Sequence, residues 1–260
     1  MLQLAHLTRN TSASALPRYN TDAVLDAFAL SDRGCVRENN EDYCRIEAGL
    51  GLFALADGMG GARGGETASK LAVDTVAEMV QSAPARDPAA LLAAVEAANQ
   101  RVLEAARGDP NLEGMGTTLV AALETGAGLS IASVGDSRAY LLDAQGFRAI
   151  TEDQTWVNEV GRALGMTEEK LRTHPLRHVL TMAIGVAKSV TIRSYAVELG
   201  PGSLVLISSD GLHGVVAPLE IENIVRSANG APLRQTCARL VEAARNAGGP
   251  DNITVLLLRR

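Results

Sequence analysis

The chain has 260 residues, 47% of them hydrophobic and only 3% aromatic, which provides Ala, Val, Leu and Ile for one large interior or two small ones. A net charge of -6 and a pI near 5.3 exclude the clustered basic face with which a nucleic-acid binder meets phosphates. Cys35, Cys44 and Cys237 form no C-x-x-C pair and suit a reducing compartment, and no apolar run approaches the roughly 20 residues of a membrane helix.

The stretch from Met1 to Tyr19 is polar, with neither an apolar h-region nor a small-residue cleavage site. Residues 1–23 are therefore expected to be a mobile leader, and 24–260 a single domain. From Val24 the alternation in VLDAFAL predicts a strand, SDRG a turn, and 43–46 and 52–56 two more strands. Helices are expected over 65–81 and 87–107, the second with Asp87 as cap and Pro88 at its first position. Residues 117–123, 129–134, 138–142 and 147–150 read as an antiparallel meander. An irregular, short-helical flap over 155–184 precedes strands at 190–197 and 203–208. Pro218 and Pro232 each start a helix, and ITVLLL ends the chain as a buried strand. Strands in long runs, not in strict alternation with helices, predict an α+β domain of antiparallel sheets with helices packed outside.

Acids recur at the ends of apolar strands: Asp57 ends LFALAD, Asp136 follows IASVG, Asp210 ends LVLISSD and Asp251 precedes ITVLLL. Any one of them could simply cap a turn, since Asp-Gly is an ordinary turn signal. Ionised together among apolar neighbours, they need positive compensation. Hard oxygen donors without Cys or paired His select Mg²⁺ or Mn²⁺ over zinc, and two such ions can activate a water for attack on phosphorus. In RENNED, Glu41 and Asp42 follow Arg37. Either this is a solvated charge cluster, or Arg37 grips a phosphate while the acids orient metal-bound waters. Pro175 disfavours His174 and His178 in HPLRH as a helical zinc pair, and Ser137, Ser208 and Ser209 lack a nucleophile-elbow motif or an evident His partner.

In order, SDRGCVRENNED, LADGMGGARGGE, GTTLVAAL, ASVGDSRAYLL, ITEDQT, HPLRHVLTMAIG, LISSDGL and GGPDNITVLLL resemble the type 2C, or PPM, metal-dependent protein phosphatases, from about Phe28 to the C-terminus. The resemblance implies a four-layer α-β-β-α sandwich of two antiparallel sheets, with the metal site at one end. It implies Mn²⁺ or Mg²⁺, two per site with a weaker third. Asp57 would bridge both ions, the Gly58 carbonyl would bind one, and Asp210 and Asp251 would complete the other. Glu41 and Asp42 would act mainly through coordinated waters, Asp136 with Asp210 would form the third site, Asn252 would support Asp251, and Arg37 would hold the substrate phosphate. The implied reaction is direct attack of a metal-bridging hydroxide on phosphoserine or phosphothreonine.

By the same resemblance the partners are phosphorylated proteins and a cognate Ser/Thr kinase, and the location is cytoplasmic; a catalytically silent phosphoprotein-binding module is the alternative. Three positions depart from the family pattern: Met59 where many members carry a histidine, Gln154 where histidine is frequent, and Gly214 where an acid is common.

Overall fold

The computed structural model describes residues 25–60, 64–126, 128–228 and 230–260. The expected leader, the start of the first strand at Val24 and part of the DGMGGARGGE stretch lie outside these residues.

Strands β1 (Asp26–Asp32), β2 (Asp42–Glu47) and β3 (Leu52–Met59) lead into helices α1 (Gly64–Ser82) and α2 (Pro88–Gly108). Pro88 opens α2 as expected, and the Asp87 side chain accepts from the Ala90 N–H at 2.8 Å, capping a donor left free by the helix geometry. Next come β4 (Gly116–Thr117), β5 (Leu119–Thr125), β6 (Gly128–Val134), β7 (Arg138–Asp143) and β8 (Gly146–Ala149). Short helix α3 (Glu168–Thr173), β9 (Arg193–Glu198), β10 (Leu204–Ser208), the single turn α4 (Asp210–His213), α5 (Pro218–Arg226), α6 (Leu233–Asn246) and β11 (Ile253–Arg259) complete the order.

The strands form two antiparallel sheets, β1-β11-β10-β7-β8 and β2-β3-β5-β6-β9, with β4 paired to β3. Three apolar layers hold the stack together. Leu52, Ala54 and Ala56 of β3 face α1 and α2, while Phe53 and Leu55 face the other sheet. Ile253, Val255 and Leu257 of β11 face α4, α5 and α6, while Leu256 and Leu258 close the layer between the sheets. The result is the four-layer α-β-β-α sandwich of the α+β class. With so few aromatics, close helix packing falls to small side chains such as Ala68, Ala72, Ala94 and Ala98, all buried.

Two readings are corrected. The run from 117 to 150 is not one meander: β5 and β6 pair in one sheet, β7 and β8 in the other, and the chain crosses between sheets at Gly135-Asp136-Ser137. Gly135 makes that crossing at φ +94, a conformation glycine adopts at no steric cost. Asp57 also does not end its strand. β3 continues to Met59 because Gly58 and Met59 pair with Thr117 and Gly116 of β4.

Candidate metal centre and active site

Alternation along a strand decides where the acids point. Asp57 shares the parity of Phe53 and Leu55, so it continues the face between the two sheets and lies where the apolar layer gives way to a cleft. Asp42 lies directly opposite it on β2. From the other sheet, β10 runs into Ser209 and Asp210, and Asp251 sits just before β11. A cleft of about 610 Å³ opens at this end, lined among others by Arg37, Glu41, Asp57, Gly58, Asp136, Asp210 and Asp251. Five segments of the chain thus bring their carboxylates to one place.

Backbone contacts fix these positions. The Asp57 N–H donates to Thr118 Oγ1 at 3.0 Å, and its carbonyl accepts from Thr117 Oγ1 at 2.8 Å. The Gly58 N–H donates to the Glu41 carbonyl at 3.1 Å. A Cβ on Gly211 would stand 1.9 Å from the Asn252 carbonyl oxygen, so only glycine lets α4 lie against the Asp251 segment. Gly211→Ala is expected to cost about 1–3 kcal/mol, seen as a lower urea midpoint with an unchanged slope.

Asn252 organises the Arg37 segment. Its Nδ2 donates to the carbonyls of Arg33 (3.0 Å) and Asn39 (2.8 Å), its Oδ1 accepts from the Glu41 N–H (2.8 Å), and its own N–H donates to Asp251 Oδ1 (2.8 Å). The support of Asp251 thus comes from the main chain, while the side chain staples residues 33–41. Arg37 Nη2 donates to Asp251 Oδ2 at 2.7 Å, a cation absent from the sequence neighbourhood of Asp251 and supplied by the fold.

Asp42 is not among the cleft-lining residues: it is buried behind them, where its Oδ2 accepts from Ser209 Oγ at 2.7 Å. Its Oδ1 is buried with no hydrogen-bond partner. Burial, reinforced by Asp210 and Asp251, pushes Asp42 up to about 7. Burial and the Asp210 and Asp153 charges push Asp136 up to about 7 as well. Asp57 is raised well above the usual carboxylate range by burial and then by Asp42, Asp210, Asp136 and Asp251. Asp210 is raised by burial and Asp251, and its carboxyl is in hydrogen-bonding contact with Asp57.

These facts bear on whether divalent cations fit. The donors are all oxygen, crowded and desolvated, Arg37 pairs with only Asp251 among them, and one buried carboxylate oxygen of the described residues lacks a hydrogen-bond partner. That set suits hard cations. Among the described residues no three of His, Cys, Asp or Glu close around a single ligation point, so the carboxylates line a cleft and do not form a finished shell.

The sequence model of the family described as protein phosphatase 2C matches residues 36–257. The chain belongs to the protein phosphatase 2C family. It is 40% identical over 238 residues to the serine/threonine protein phosphatase PstP of Mycobacterium tuberculosis strain H37Rv, covering 90% of this chain and 45% of that protein. The chain therefore spans about half the length of that relative. It is 34% identical over 238 residues to the serine/threonine phosphatase stp of Listeria monocytogenes EGD-e, covering 88% of this chain and 94% of that one. The solved catalytic domain of PstP in complex with two manganese ions superposes with a TM-score of 0.81 at 37% identity, covering 91% and 98% of the two chains.

Within this phosphatase 2C frame, the supporting roles of Thr118, Ser137 and Ser209 escaped the sequence reading, although each lies in a quoted motif: Thr118 Oγ1 and Ser137 Oγ share a hydrogen bond of 2.7 Å, and Ser209 Oγ accepts from the Thr254 N–H at 3.0 Å. Ser208 has the His partner that the sequence concealed, His213 Nδ1 at 3.0 Å, yet Ser208 is fully buried and cannot meet a substrate. His174 and His178 part company: His174 stacks on Trp156 at 4.5 Å, and His178 lines the cleft. Gly214 serves the α4 turn, its N–H donating to the Asp210 carbonyl at 2.7 Å.

Proposed function

We propose that this chain is a metal-dependent protein serine/threonine phosphatase that hydrolyses phosphoserine and phosphothreonine by direct attack of water on phosphorus. The observation that carries the reading is the convergence of Asp57, Asp136, Asp210 and Asp251 on one cleft that also holds Arg37. Two divalent cations, Mn²⁺ or Mg²⁺, would supply the charge that makes a water acidic enough to attack and that offsets the developing negative charge. Asp57, the Gly58 carbonyl, Asp210 and Asp251 would hold them, Glu41 and Asp42 would act through water, and Asp136 with Asp210 would offer a weaker third position.

Arg37 would leave Asp251 to bind the phosphate through parallel N–H donors, a geometry that lysine cannot reproduce. Direct attack by water is supported by the fate of the hydroxyls: Ser208 is buried, Ser209 is committed to Asp42 and the Thr254 N–H, and Ser137 to Thr118. None is free to become a phosphorylated intermediate. Met59 lines the cleft and bears no proton, so the leaving group is protonated by water or another side chain. The substrates would be phosphoproteins made by a Ser/Thr kinase in the same compartment, the cytoplasm. Among the described residues no helix is long and apolar enough to cross a membrane.

The test is phosphate release from a phosphothreonine peptide with and without Mn²⁺, for the wild type and Asp57→Ala. Manganese-dependent release lost in the variant supports the reading. Binding of the peptide without release by the metal-loaded wild type would favour a silent phosphoprotein-binding module. Arg37→Lys is expected to raise the peptide KM about tenfold, a loss of some 1.4 kcal/mol of phosphate binding. Its melting temperature should change little, because the Arg37–Asp251 pair, half exposed on the arginine side, contributes at most about 1 kcal/mol.

A further inference from the structure

Gln154 departs from the family pattern, and the structure gives it a role. Its side chain is 1% exposed. Oε1 accepts from the Gly135 N–H at 2.8 Å, and Nε2 donates to the Thr191 carbonyl at 2.9 Å. Its main chain continues the same two connections: the Gln154 N–H donates to the Gly135 carbonyl at 2.9 Å, and the Gln154 carbonyl accepts from the Thr181 N–H at 2.9 Å. All four polar groups are thereby spent on two partners. One is the turn that carries Asp136. The other is the segment that returns past the cleft, where His178 and Leu180 form a wall.

The preceding residue strengthens the first connection. Both oxygens of Asp153 accept from Arg138, at 2.8 and 2.7 Å, so Asp153 and Gln154 hold the two sides of the Asp136 turn. Pairing of Thr155 with Leu180 and the Trp156 N–H donating to Val179 at 2.8 Å extend the second connection. The hydrogen bonds of Gln154 go to Gly135, Thr181 and Thr191, and not to Asp57, Asp210 or Asp251.

From this geometry we infer that Gln154 is a positioning residue that ties the Asp136 turn and the 179–191 wall into one unit, fixing the cleft for a polypeptide substrate. The inference rests on the phosphatase reading for its substrate and on the hydrogen bonds alone for its mechanics. The position needs one donor and one acceptor on the same side chain. A neutral imidazole offers both; ionised glutamate lacks the donor, and methionine lacks the donor and accepts only weakly.

The test compares Gln154→Met, Gln154→Glu and Gln154→His by hydrogen–deuterium exchange on the full chain and by hydrolysis of a phosphothreonine peptide and of p-nitrophenyl phosphate. Exchange in 133–137 and in 179–192 should rise together, about tenfold or more, in the Met and Glu variants. The peptide kcat/KM should fall about tenfold further than that for the small ester, which lays no chain against the wall. The His variant should recover most of both losses. Exchange rising in one segment only, equal losses on the two substrates, or a His variant no better than Met would overturn the inference. Failure of the wild type to hydrolyse either compound would count against the phosphatase reading instead, and the exchange data would still decide the coupling.

Discussion

Asp57→Asn is expected to lower metal-supported hydrolysis of a phosphopeptide by more than about a hundredfold while making the metal-free protein more stable at neutral pH. The two effects have one cause. Asp57 lies where the inter-sheet core ends, and burial together with Asp42, Asp210, Asp136 and Asp251 raises its pKa well above the usual range. A neutral amide of the same shape keeps the N–H bond to Thr118 Oγ1, since that bond is made by the backbone, and removes one member of the repulsive group. What it removes as well is the central anionic donor on which cation binding would depend in the proposed function. Function and stability therefore pull in opposite directions at this position. The measurements are phosphate release with saturating Mn²⁺ and urea unfolding in a chelator. A variant that keeps a tenth of wild-type turnover, or whose chelated form is less stable than wild type, would remove Asp57 from the centre of the argument.

The second large effect concerns pH and metal together. Asp42 and Asp136 stand at about 7 in the folded chain against an ordinary value of 3.8. A carboxyl whose folded pKa lies above its unfolded one keeps its proton longer in the native state, so the native state binds more protons across that interval. The contribution of these acids to the stability of the metal-free protein then falls as pH rises from about 4 to about 7, while His213, held well below its ordinary value of 6.5 by burial and Arg138, opposes it in the acid part of that window. Each site is worth up to about 4 kcal/mol at roughly 1.4 kcal/mol per pH unit, and the Asp210 charge that acts on both makes the sum smaller than two such terms. Glu41 is raised too, by burial, and acts in the same direction. The lowered Asp74 and Asp143 release their protons below the ordinary aspartate value, outside this interval.

Melting of chelated protein should thus be about 5–10 °C higher at pH 5 than at pH 8. Mn²⁺ should reverse the trend, because its ligands must be deprotonated and its binding stabilises only the folded form. Chelated protein that grows more stable from pH 5 to pH 8 would show that these acids are compensated some other way. A manganese effect equal at both pH values would show that they do not hold the ion.

Local chemistry carried much of this architecture into the sequence. The Asp87 and Pro88 start of α2, the alternation that marks β1, and the unbroken apolar run of β11 are short-range signals, and each of these elements formed close to where the pattern placed it. Asp210 and Asp251 at strand ends, and Asp57 after the apolar part of β3, were marked by the sequence because an acid beside an apolar run is costly and so conspicuous. Period-two alternation says which face a residue takes but not which strand lies alongside. That is why 117–150 read as one meander, although the chain changes sheets at Asp136. Hydrogen-bond partners more than a hundred residues apart leave no local trace either. Asn252 stapling the Arg37 segment, Ser209 meeting Asp42 and Arg37 reaching Asp251 were decided only when two sheets closed on one core. The sequence by itself determined which side chains could hold cations and phosphate. The packing of the sandwich decided that they meet, because a carboxylate becomes a strong ligand only where burial and its neighbours deny it water.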